Sequence, residues 1–432
     1  MSEVVGDGWR SARFGSLCLR IVNGGTPDTA NAAYWNGEIP WITGADFTPS
    51  GIGEFRRFVS NAGIHGSATS VVKRGNLLVV TRTGVGKLAV APCDIAISQD
   101  ITGVYIDTEV AETDFIYYLL SREVDELKKL NQGTSINGIV RSDLEKHEVQ
   151  FPIAKLVQKR ITVILRTIDA AIEKTEALID KFQQIKAGLM HDLFTRGVLP
   201  NGQLRPPREQ SPEQYQETAI GWIPREWSVE RLLDLTSVIV DGVHHTPKYA
   251  EHGVPFVTVK NLTAGDGIDF SDLNHISESD HEVFKRRASP QAGDVLITKD
   301  GTLGVARVVK ASYPEFSIFV SVALLRTLNQ RLISEWLFLF FDARIFERQL
   351  GFLSAGTGLK HIHLEHFKKF SLPLPDTDEQ ERICDSIRTI SRKISNERCT
   401  LKKLRHQKLG LMQDLLTGKV PVPVDTPEVA LA

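Results

Sequence analysis

The sequence predicts an α+β protein in which two related globular domains are each followed by a long helix. Three observations lead to this prediction: the chain repeats itself, short β-rich runs fill each repeat, and a long apolar seam ends each repeat. At 432 residues the chain is also longer than a single hydrophobic core usually supports. Two domains of similar fold are therefore expected.

The repeat is anchored by residues that match at nearly constant shifts along the chain. At a shift of 218 positions, the pairs are Trp9 and Trp227, Arg13 and Arg231, Leu17 and Leu235, Gly24 and Gly242, Gly75 and Gly293, and Gly86 and Gly304. At 223 they are Gly133-Thr134 and Gly356-Thr357, Ile139 and Ile362, Lys146 and Lys369, and Pro152 and Pro375. At 222, KAGLMHDLFT (186–195) lies over KLGLMQDLLT (408–417). The segments between anchors differ widely, which indicates a shared framework with diverged surfaces.

The repeat and the seams divide the chain into six segments. They are a first globular domain (1–152), a first long helix (153–198), a linker rich in Pro, Gln and Arg (199–217), a second globular domain (218–375), a second long helix (376–420) and a flexible tail (421–432).

Each globular domain combines short β-rich runs with a helix near its end. The runs are LLVVTR, KLAVA and ITGVYI in the first domain and VLITKD, GVARVV and FSIFVSVALLR in the second. The expected helices are DFIYYLLSREVDELKKL and SEWLFLFFDARIFERQL. The run from Trp336 to Phe341 is far shorter than the roughly 20 residues of a membrane span, so a buried helix is expected there.

Each long helix carries an apolar seam with alternating steps of four and three residues, which is typical of a coiled coil. The apolar seam positions are Ile161, Leu165, Ile168, Ile172, Ile179, Phe182 and Leu189 in the first helix and Ile383, Ile387, Ile390, Ile394, Leu401, Leu404 and Leu411 in the second. The seams are interrupted at the same two levels, by Thr175 and Lys186 and by Glu397 and Lys408. Leucine would pack better than lysine there, and a polar seam residue typically sets the register.

About 40 residues at 1.5 Å each give a rod of about 60 Å, which could act as a spacer. The second helix is expected to begin with a capping box of Thr377 and Gln380 and to end at Gly418 and Pro421. Seams in the same heptad phase favour antiparallel packing of the two helices on each other. The alternative is that each helix packs only on its own domain.

Composition and motifs argue against a cofactor-dependent enzyme. RTGVGK (82–87) fails the phosphate-loop pattern, because Thr81 stands at the first glycine position and Leu88 follows the lysine. No G-x-G-x-x-G follows a predicted strand. The scattered cysteines Cys18, Cys93, Cys384 and Cys399 form no CxxC pair, and the first ten residues do not resemble a signal peptide. A reduced, cytoplasmic protein without a membrane segment is expected.

KHIHLEH (360–366) brings three histidines together and could suggest a metal site. Its counterpart NGIVRSD in the first repeat contains none, so polar contact residues on a variable loop are the better interpretation, as for His244 and His245. No metal site is predicted.

The net charge of −2 gives no overall signature of nucleic-acid binding, so any DNA-binding surface must be local or shared with a partner. Basic and polar residues cluster in predicted loops and at strand ends. Since Arg, Lys and Asn read base edges and grip phosphates, these clusters are candidate DNA contacts. They comprise Lys73, Arg74, Arg82, Lys87, Asn137 and Arg141 in the first repeat and Lys248, Lys260, Asn261, Lys285, Arg286, Arg287, Lys299, Lys360 and His361 in the second.

Three motifs resemble one known family. GWIPREWSVERL (221–232), SLPLPDTDEQERI (371–383) and the GLMxDLxT helix ends are similar to the specificity subunits of Type I restriction-modification systems. The likeness covers essentially the whole chain. In the first repeat, FPIAKLVQKRI (151–161) departs from the acidic-Gln helix start of the second.

The resemblance implies two α/β target recognition domains in a pseudo-two-fold arrangement, separated by an antiparallel coiled coil. Each domain would read one half of a bipartite, asymmetric site in double-stranded DNA. Two methyltransferase subunits and the restriction subunits would assemble on this non-catalytic chain. S-adenosylmethionine, ATP and magnesium would then be needed only on those partner subunits.

The repeat independently favours a DNA reader. A symmetric dimer of one reader recognises a palindrome. Fusing two readers and letting their surfaces diverge permits two different half-sites. A self-contained nuclease or methyltransferase would need a cofactor loop or carboxylate cluster that the sequence lacks. A coiled-coil protein scaffold without DNA readout would explain the rod but not two related, diverged domains.

Overall fold

A computed structural model of the chain describes residues 8–48, 51–129, 138–328, 330–354 and 361–423. The chain forms two compact units, and their boundaries do not coincide with those of the two repeats. Unit 1 contains Met1–Leu178 and Glu397–Ala432, and unit 2 contains Ile179–Asn396. Each unit therefore combines one globular domain, the start of its own long helix and the end of the other long helix.

Unit 1 is built from short strands and a few helices. Its strands are β1 (Trp9–Arg13), β2 (Cys18–Asn23), β3 (Ile39–Ile42), β4 (Phe47–Thr48), β5 (Gly51–Ile52), β6 (Phe58–Val59), β7 (Ser70–Val72), β8 (Leu77–Val80), β9 (Leu88–Val90), β10 (Ile95–Ile97), β11 (Ile101–Ile106) and β12 (Glu148–Pro152). Its helices are α1 (Asn61–His65), α2 (Thr113–Arg122), α3 (Val124–Lys129), α4 (Arg141–Lys146) and the first part of α5 (Lys155–Thr195).

After an additional hairpin, unit 2 follows the same order of elements, but its described strands include no counterparts of β4, β5 and β7. Its strands are β13 (Tyr215–Thr218), β14 (Gly221–Pro224), β15 (Ser228–Arg231), β16 (Thr236–Asp241), β17 (Val254–Val257), β18 (Asn274–Ile276), β19 (Val295–Thr298), β20 (Ala306–Val308), β21 (Ser317–Ile318), β22 (Val322–Thr327) and β23 (Ser371–Leu374). Its helices are α6 (Leu232–Leu235), α7 (Val259–Thr263), α8 (Glu278–Phe284), α9 (Ser334–Phe341), α10 (Arg344–Ser354), α11 (Leu364–Phe367) and the first part of α12 (Thr377–Leu415).

Sheet topology confirms the duplication and the α+β class. The central antiparallel sheet has the order β2-β11-β8-β9 in unit 1 and β16-β22-β19-β20 in unit 2. A second sheet contains a parallel pair in each unit, β3 with β10 and β17 with β21. The first strand of each domain pairs with its last, β1 with β12 and β15 with β23. These closing pairs bring the two ends of each domain together at the start of its long helix.

The matched glycines mark places where two backbones approach closely. A Cβ atom on Gly24 would lie 2.1 Å from the carbonyl oxygen of Ser98, and one on Gly242 would lie 1.9 Å from that of Ile318. A side chain cannot be accommodated at either position without moving the neighbouring backbone. This steric requirement explains the Gly24–Gly242 pair seen in the repeat.

The core of each unit is completed by two different long helices. In unit 1, Ile161 near the start of α5 and Leu415 at the end of α12 are buried in one apolar cluster. In unit 2, Ile383 near the start of α12 and Phe194 at the end of α5 are buried together, and the Phe194 ring stacks on Trp336 at 4.3 Å. Each such side chain contributes roughly 1.5–3 kcal/mol of burial free energy. The repeated GLMxDLxT motif is thus the part of each helix that packs into a globular core.

The two helices run antiparallel where they meet in unit 1. The Lys408 ammonium lies 2.6 Å from Asp169, and the Arg405 guanidinium lies 2.6 Å from Glu176. The residue numbers therefore decrease along α12 in the direction in which they increase along α5. In unit 2, Lys393 lies over the Phe182 ring at 5.9 Å. All fourteen apolar seam residues are buried or half-buried.

Two sequence predictions about helices are wrong in detail. Each expected late helix is divided in two, because the chain turns at Glu123 between α2 and α3 and at Asp342 between α9 and α10. The helix α12 is capped by Asp376, whose carboxylate accepts the Glu379 N–H at 2.7 Å, rather than by a Thr377–Gln380 box. The Gln380 amide instead bonds to backbone atoms of the globular domain. In the described ranges, no helix is long and apolar enough to cross a bilayer.

Candidate nucleic-acid interface

Each central sheet has one edge at which strand ends and the following loops collect; we call it the strand-end edge. In the first domain, β2 ends at Asn23, opposite Thr102, and β8 ends at Val80, opposite Ile101. In the second, Asp241 lies opposite Ala323 and Thr298 opposite Val322. The residues of this edge are 23–26, 81–87, 98–100 and 138–141 in the first domain and 241–248, 287, 299–305, 319–321 and 361–363 in the second.

A later segment of each repeat is fastened to this edge by one backbone hydrogen bond. The Ile139 N–H donates to the Thr81 carbonyl at 2.7 Å, and the Ile362 N–H donates to the Lys299 carbonyl at 2.8 Å. Both isoleucines are buried. The Ile139–Ile362 anchor pair therefore holds equivalent loops beside equivalent strand ends.

Three candidates of the first repeat lie at or next to the strand-end edge. Arg82 is exposed directly after β8. The Lys87 ammonium donates to the carbonyl of Gly44, the first residue of a short 3-10 helix, at 3.0 Å, so it stabilises that helix as well as adding charge. Arg141 is exposed at the start of α4 and donates to Glu145 at 2.7 Å.

Two candidates of the first repeat lie at the opposite edge of that sheet. Lys73 and Arg74 form the turn before β8, and the Lys73 ammonium is 2.7 Å from Asp94. The Arg74 N–H donates to the same carboxylate at 3.0 Å. The hydrogen bond from Lys73 and that backbone hydrogen bond lower the pKa of Asp94. The structure thus separates Lys73 and Arg74 from Arg82. Asn137 and Lys360 lie outside the described residues.

The second domain carries a compact charged cluster at its strand-end edge. Asp241, at the end of β16, is 2% exposed and contacts three other side chains. The Arg287 guanidinium donates to its carboxylate, the Lys299 ammonium lies 3.2 Å from it, and His244 Nε2 lies 3.1 Å from it. Burial alone would raise the pKa of Asp241, but hydrogen bonds from Arg287, His244 and Lys299 outweigh it and lower that pKa. Arg287 and Lys299 were both predicted as DNA contacts from the sequence, and in the structure both contact Asp241.

Histidines lie beside this cluster. His361 pairs with Asp300 across an isolated β-bridge, and its Nδ1 lies 3.5 Å from the Asp300 carboxylate. Its Nε2 lies 3.0 Å from Nε2 of His363. The pKa of His366 is lowered mainly by burial and, to a smaller extent, by the neighbouring His363 and Lys369. Among the described residues, no group of three His, Cys, Asp or Glu side chains is arranged to hold a metal ion.

The prediction that Asn261 contacts DNA is wrong, because this residue is buried in the second domain. Asn261 is 3% exposed, and its amide donates to the carbonyls of Asp269 and Asp272 at 3.2 and 3.0 Å. Its oxygen accepts the Thr258 N–H at 2.9 Å, as part of a capping box at α7. With every polar atom engaged inside the domain, Asn261 stabilises a turn and offers nothing to DNA.

The remaining candidates are surface residues. Lys260 pairs with Asp272, and Lys285 lies 2.6 Å from Glu315. Lys248 and Arg286 are exposed in loops. Of these residues, only Lys248 lies within the strand-end edge.

Sequence reasoning missed several polar side chains of this edge. One is Asp241 in the second domain, which precedes Gly242, whereas His244 was expected as a polar contact residue of a variable loop. In the first domain, Gln99 accepts a hydrogen bond from Thr26 at 2.5 Å, and both side chains are exposed. Glutamine can pair with adenine through two hydrogen bonds. The duplicated Gly24–Gly242 anchor was the available signal, because a glycine required for close backbone approach also fixes its neighbours.

The sequence matches one family model twice. The model, described as the Type I restriction modification DNA specificity domain, covers residues 6–183 and 224–406. The chain belongs to this family. Both matches contain one globular domain and most of the long helix after it, so Type I specificity domains occur here as an internal pair.

Curated relatives and solved structures agree with this family. The chain is 22% identical over 414 residues to the Type I restriction enzyme MjaIX specificity subunit of Methanocaldococcus jannaschii, covering 93% of this chain and 91% of that one. It is 20% identical over 309 residues to the EcoBI specificity subunit of Escherichia coli, covering 66% and 60%. The fold resembles the S subunit of the M. genitalium Type I restriction-modification system, with a TM-score of 0.58, 16% identity, and coverage of 96% and 98%.

Proposed function

We propose that this chain is the DNA sequence-recognition subunit of a Type I restriction-modification complex. The observation that carries the proposal is the double match to the DNA specificity domain, once on each repeat. Each domain reads one half of a bipartite, asymmetric site in double-stranded DNA. The subunit recognises the DNA site and positions the methyltransferase and restriction subunits on it, and it performs no chemical step itself.

The strand-end edges are the proposed reading surfaces. They are equivalent in backbone but differ in side chains: Asn23 and Thr81 in the first domain correspond to Asp241 and Lys299 in the second, at the common shift of 218. Such a difference is what two unlike half-sites require, because base readout depends on the donors and acceptors presented to the groove. The proposed contacts are Arg82, Lys87, Gln99 and Arg141 in the first domain and His244, Lys248, Arg287, Lys299 and His361 in the second.

The partners follow from the same family. The chain binds DNA and assembles with methyltransferase and restriction subunits, and we propose two methyltransferase subunits because the framework is present twice. S-adenosylmethionine, ATP and magnesium belong to those partners in this proposal, and the complex works in the cytoplasm. A coiled-coil scaffold without DNA readout is the weaker alternative, because it gives no reason for two diverged edges on one framework.

A domain exchange with methylome sequencing tests the proposal. Residues 1–152 are replaced by the first domain of another specificity subunit, retaining the side chains that pack against the end of α12. The host methylome should change in one half-site and keep the other. A change in both half-sites would contradict separate reading by two domains, and loss of sequence-specific methylation with normal complex assembly would contradict the assignment of recognition to this edge.

A second test concerns catalysis. The highly purified subunit should show no methylation, ATP hydrolysis or DNA cleavage without its partners. Activity that survives removal of every partner subunit would contradict the non-catalytic role.

A further inference from the structure

The charged cluster of the second domain is built so that one arginine is fixed in a single orientation. Arg287 donates through Nε to the carbonyls of Asp241 and Gly242, at 3.1 and 2.9 Å. Its Nη2 donates to the Asp241 carboxylate and lies 2.9 Å from His244 Nε2. The fork formed by Nε and Nη2 is therefore occupied by the protein. Within the described residues, Nη1 has no partner, and the side chain is 46% exposed.

This orientation limits what Arg287 can recognise. Bidentate reading of guanine needs two neighbouring nitrogens that each present an N–H to O6 and N7. Here Nε and Nη2 both point into the protein, and only Nη1 remains. A single guanidinium nitrogen with a full positive charge suits one phosphate oxygen of the DNA backbone.

We infer that Asp241 is a positioning residue which holds Arg287 as a phosphate grip for the second half-site, rather than as a reader of its bases. The inference rests on the proposed function, because the phosphate belongs to the DNA that the second domain recognises. Asp241 acts through Arg287 and is itself too buried to touch DNA. The Lys299 side chain is 9% exposed, and its ammonium lies 3.2 Å from the second oxygen of the buried carboxylate, whose charge it balances.

The first domain provides an internal comparison. The position of Asp241 is Asn23 there, and the position of Lys299 is Thr81, whose hydroxyl lies 3.1 Å from that of Thr102. The same strand ends thus accommodate a neutral pair. An Asp241→Asn variant places the first domain's own side chain at the second domain's strand end.

The experiment measures duplex binding by the complex of this chain with its methyltransferase subunits, using the motif defined by methylome sequencing. In Arg287→Met, we expect binding to weaken about tenfold, the scale of one charge-assisted hydrogen bond. The slope of log affinity against log salt should fall by about 0.9, the value for one lost phosphate contact. The loss should be equal for the intact motif and for duplexes with single base changes in the second half-site. Lys310→Met removes one charge beyond the far end of β20, and it should change affinity less than twofold.

The variant Asp241→Asn separates positioning from simple charge. It removes a negative charge near DNA, so electrostatics alone predicts tighter binding, whereas loss of the guanidinium clamp predicts weaker binding. We expect weaker binding with an unchanged base preference. Arg287→Lys keeps the charge without the fork, so it should retain the salt slope but not the full affinity, and it stands in if Arg287→Met fails to assemble.

Three results would overturn the inference. They are tighter binding by Asp241→Asn, a relaxed base preference in Arg287→Met, or equal effects of Arg287→Met and Lys310→Met. A wild-type complex that shows no sequence preference would instead refute the proposed function, so the two failures are distinguishable.

Discussion

The starts of the two long helices occupy equivalent positions in the two repeats, yet they are stabilised by different contacts. At the start of α12, the buried Glu379 carboxylate binds Arg205 through two hydrogen bonds of 2.5 and 3.0 Å. It also accepts the Trp227 indole N–H at 3.0 Å and the Val198 N–H at 2.7 Å. At the start of α5, the residue in the same position is Val157, half-buried against an apolar cluster.

The residue that follows is the same in both helices and makes the same bonds. Gln158 donates to the Pro152 carbonyl at 2.8 Å and accepts the Glu112 N–H at 2.8 Å. Gln380 donates to the Pro375 carbonyl at 3.0 Å and accepts the Ile333 N–H at 3.0 Å. Both amides bond only to backbone atoms, so they remain useful whatever side chains surround them.

The difference teaches which part of a duplicated framework can diverge. A contact to the backbone survives changes in neighbouring side chains, whereas the Glu379 carboxylate depends on Arg205, Trp227 and a linker that occurs once in the chain. The strand-end edges follow the same rule. The backbone bond from Ile139 or Ile362 is kept, and the polar side chains around it differ.

The largest expected effect is on the Glu379 network. Glu379→Ala leaves the Arg205 guanidinium, 4% exposed, without its main partner, and removing one member of a buried ion pair costs about 3–5 kcal/mol. Val157→Ala, the matched change in unit 1, removes two methyl groups from a half-buried site and should cost about 1 kcal/mol. Urea unfolding, with hydrogen exchange to locate the loss in unit 2, measures both. Equal costs would mean that the buried charges contribute no more than apolar packing.

The second expected effect is an equality. Gln158→Ala and Gln380→Ala each leave one backbone N–H and at least one carbonyl without a partner in a buried site, and each should cost about 1–3 kcal/mol. The same unfolding measurements apply, with Gln158→Met and Gln380→Met as controls that keep the side-chain length. Costs that differ by more than about 1 kcal/mol would contradict the view that these amides have the same role in both units.

The third expected effect is a difference in pH dependence between the wild type and Asp241→Asn, and this difference should be confined to unit 2. The pKa of Asp241 is lowered on folding by Arg287, His244 and Lys299, which outweigh burial. A lowered folded-state pKa stabilises the protein above the unfolded value of about 3.9, and this contribution is lost as the pH falls through the folded value. Between pH 6 and pH 3, the protection of amides in the second central sheet, measured as the exchange rate relative to the intrinsic rate at each pH, should therefore fall more in the wild type than in Asp241→Asn. The first sheet, with Asn23 at this position, should behave alike in both proteins.

These contrasts show what the sequence could and could not predict. The central strands, the duplication and both long helices follow from periodicity, matched glycines and the GLMxDLxT repeats, because backbone framework leaves a regular trace. The hydrogen-bond and ion-pair partners of individual side chains cannot be predicted from these patterns. Asn261 and Arg287 look equally suited to DNA in the sequence, yet Asn261 is buried with every polar atom engaged, whereas the Arg287 side chain is 46% exposed. Thr377 and Gln380 fit a capping box by spacing, but the helix starts one residue too early for it, so that Asp376 occupies the capping position.

The smallest expected effect concerns the two seam lysines, which the sequence places where leucine would pack better. The Lys408 ammonium lies 2.6 Å from Asp169 and over the Tyr118 ring, whose hydroxyl donates to the same carboxylate at 2.7 Å. Lys186 lies 3.5 Å from Asp342, whose side chain is 60% exposed. Half-exposed ion pairs contribute about 0–1 kcal/mol.

Lys408→Leu should therefore lower stability by at most about 1 kcal/mol, because the gain in apolar burial partly offsets the loss of the pair. Lys186→Leu should be neutral or slightly stabilising, since its ion pair is longer and more exposed. Thermal unfolding of the two single variants measures the difference, with Asp169→Asn as a partner control for Lys408. If Lys186→Leu proved the more damaging change, the ion pairs of the two lysines would not determine how much each contributes to stability. Setting the helix register, rather than forming an ion pair, would then explain why both seams contain lysine.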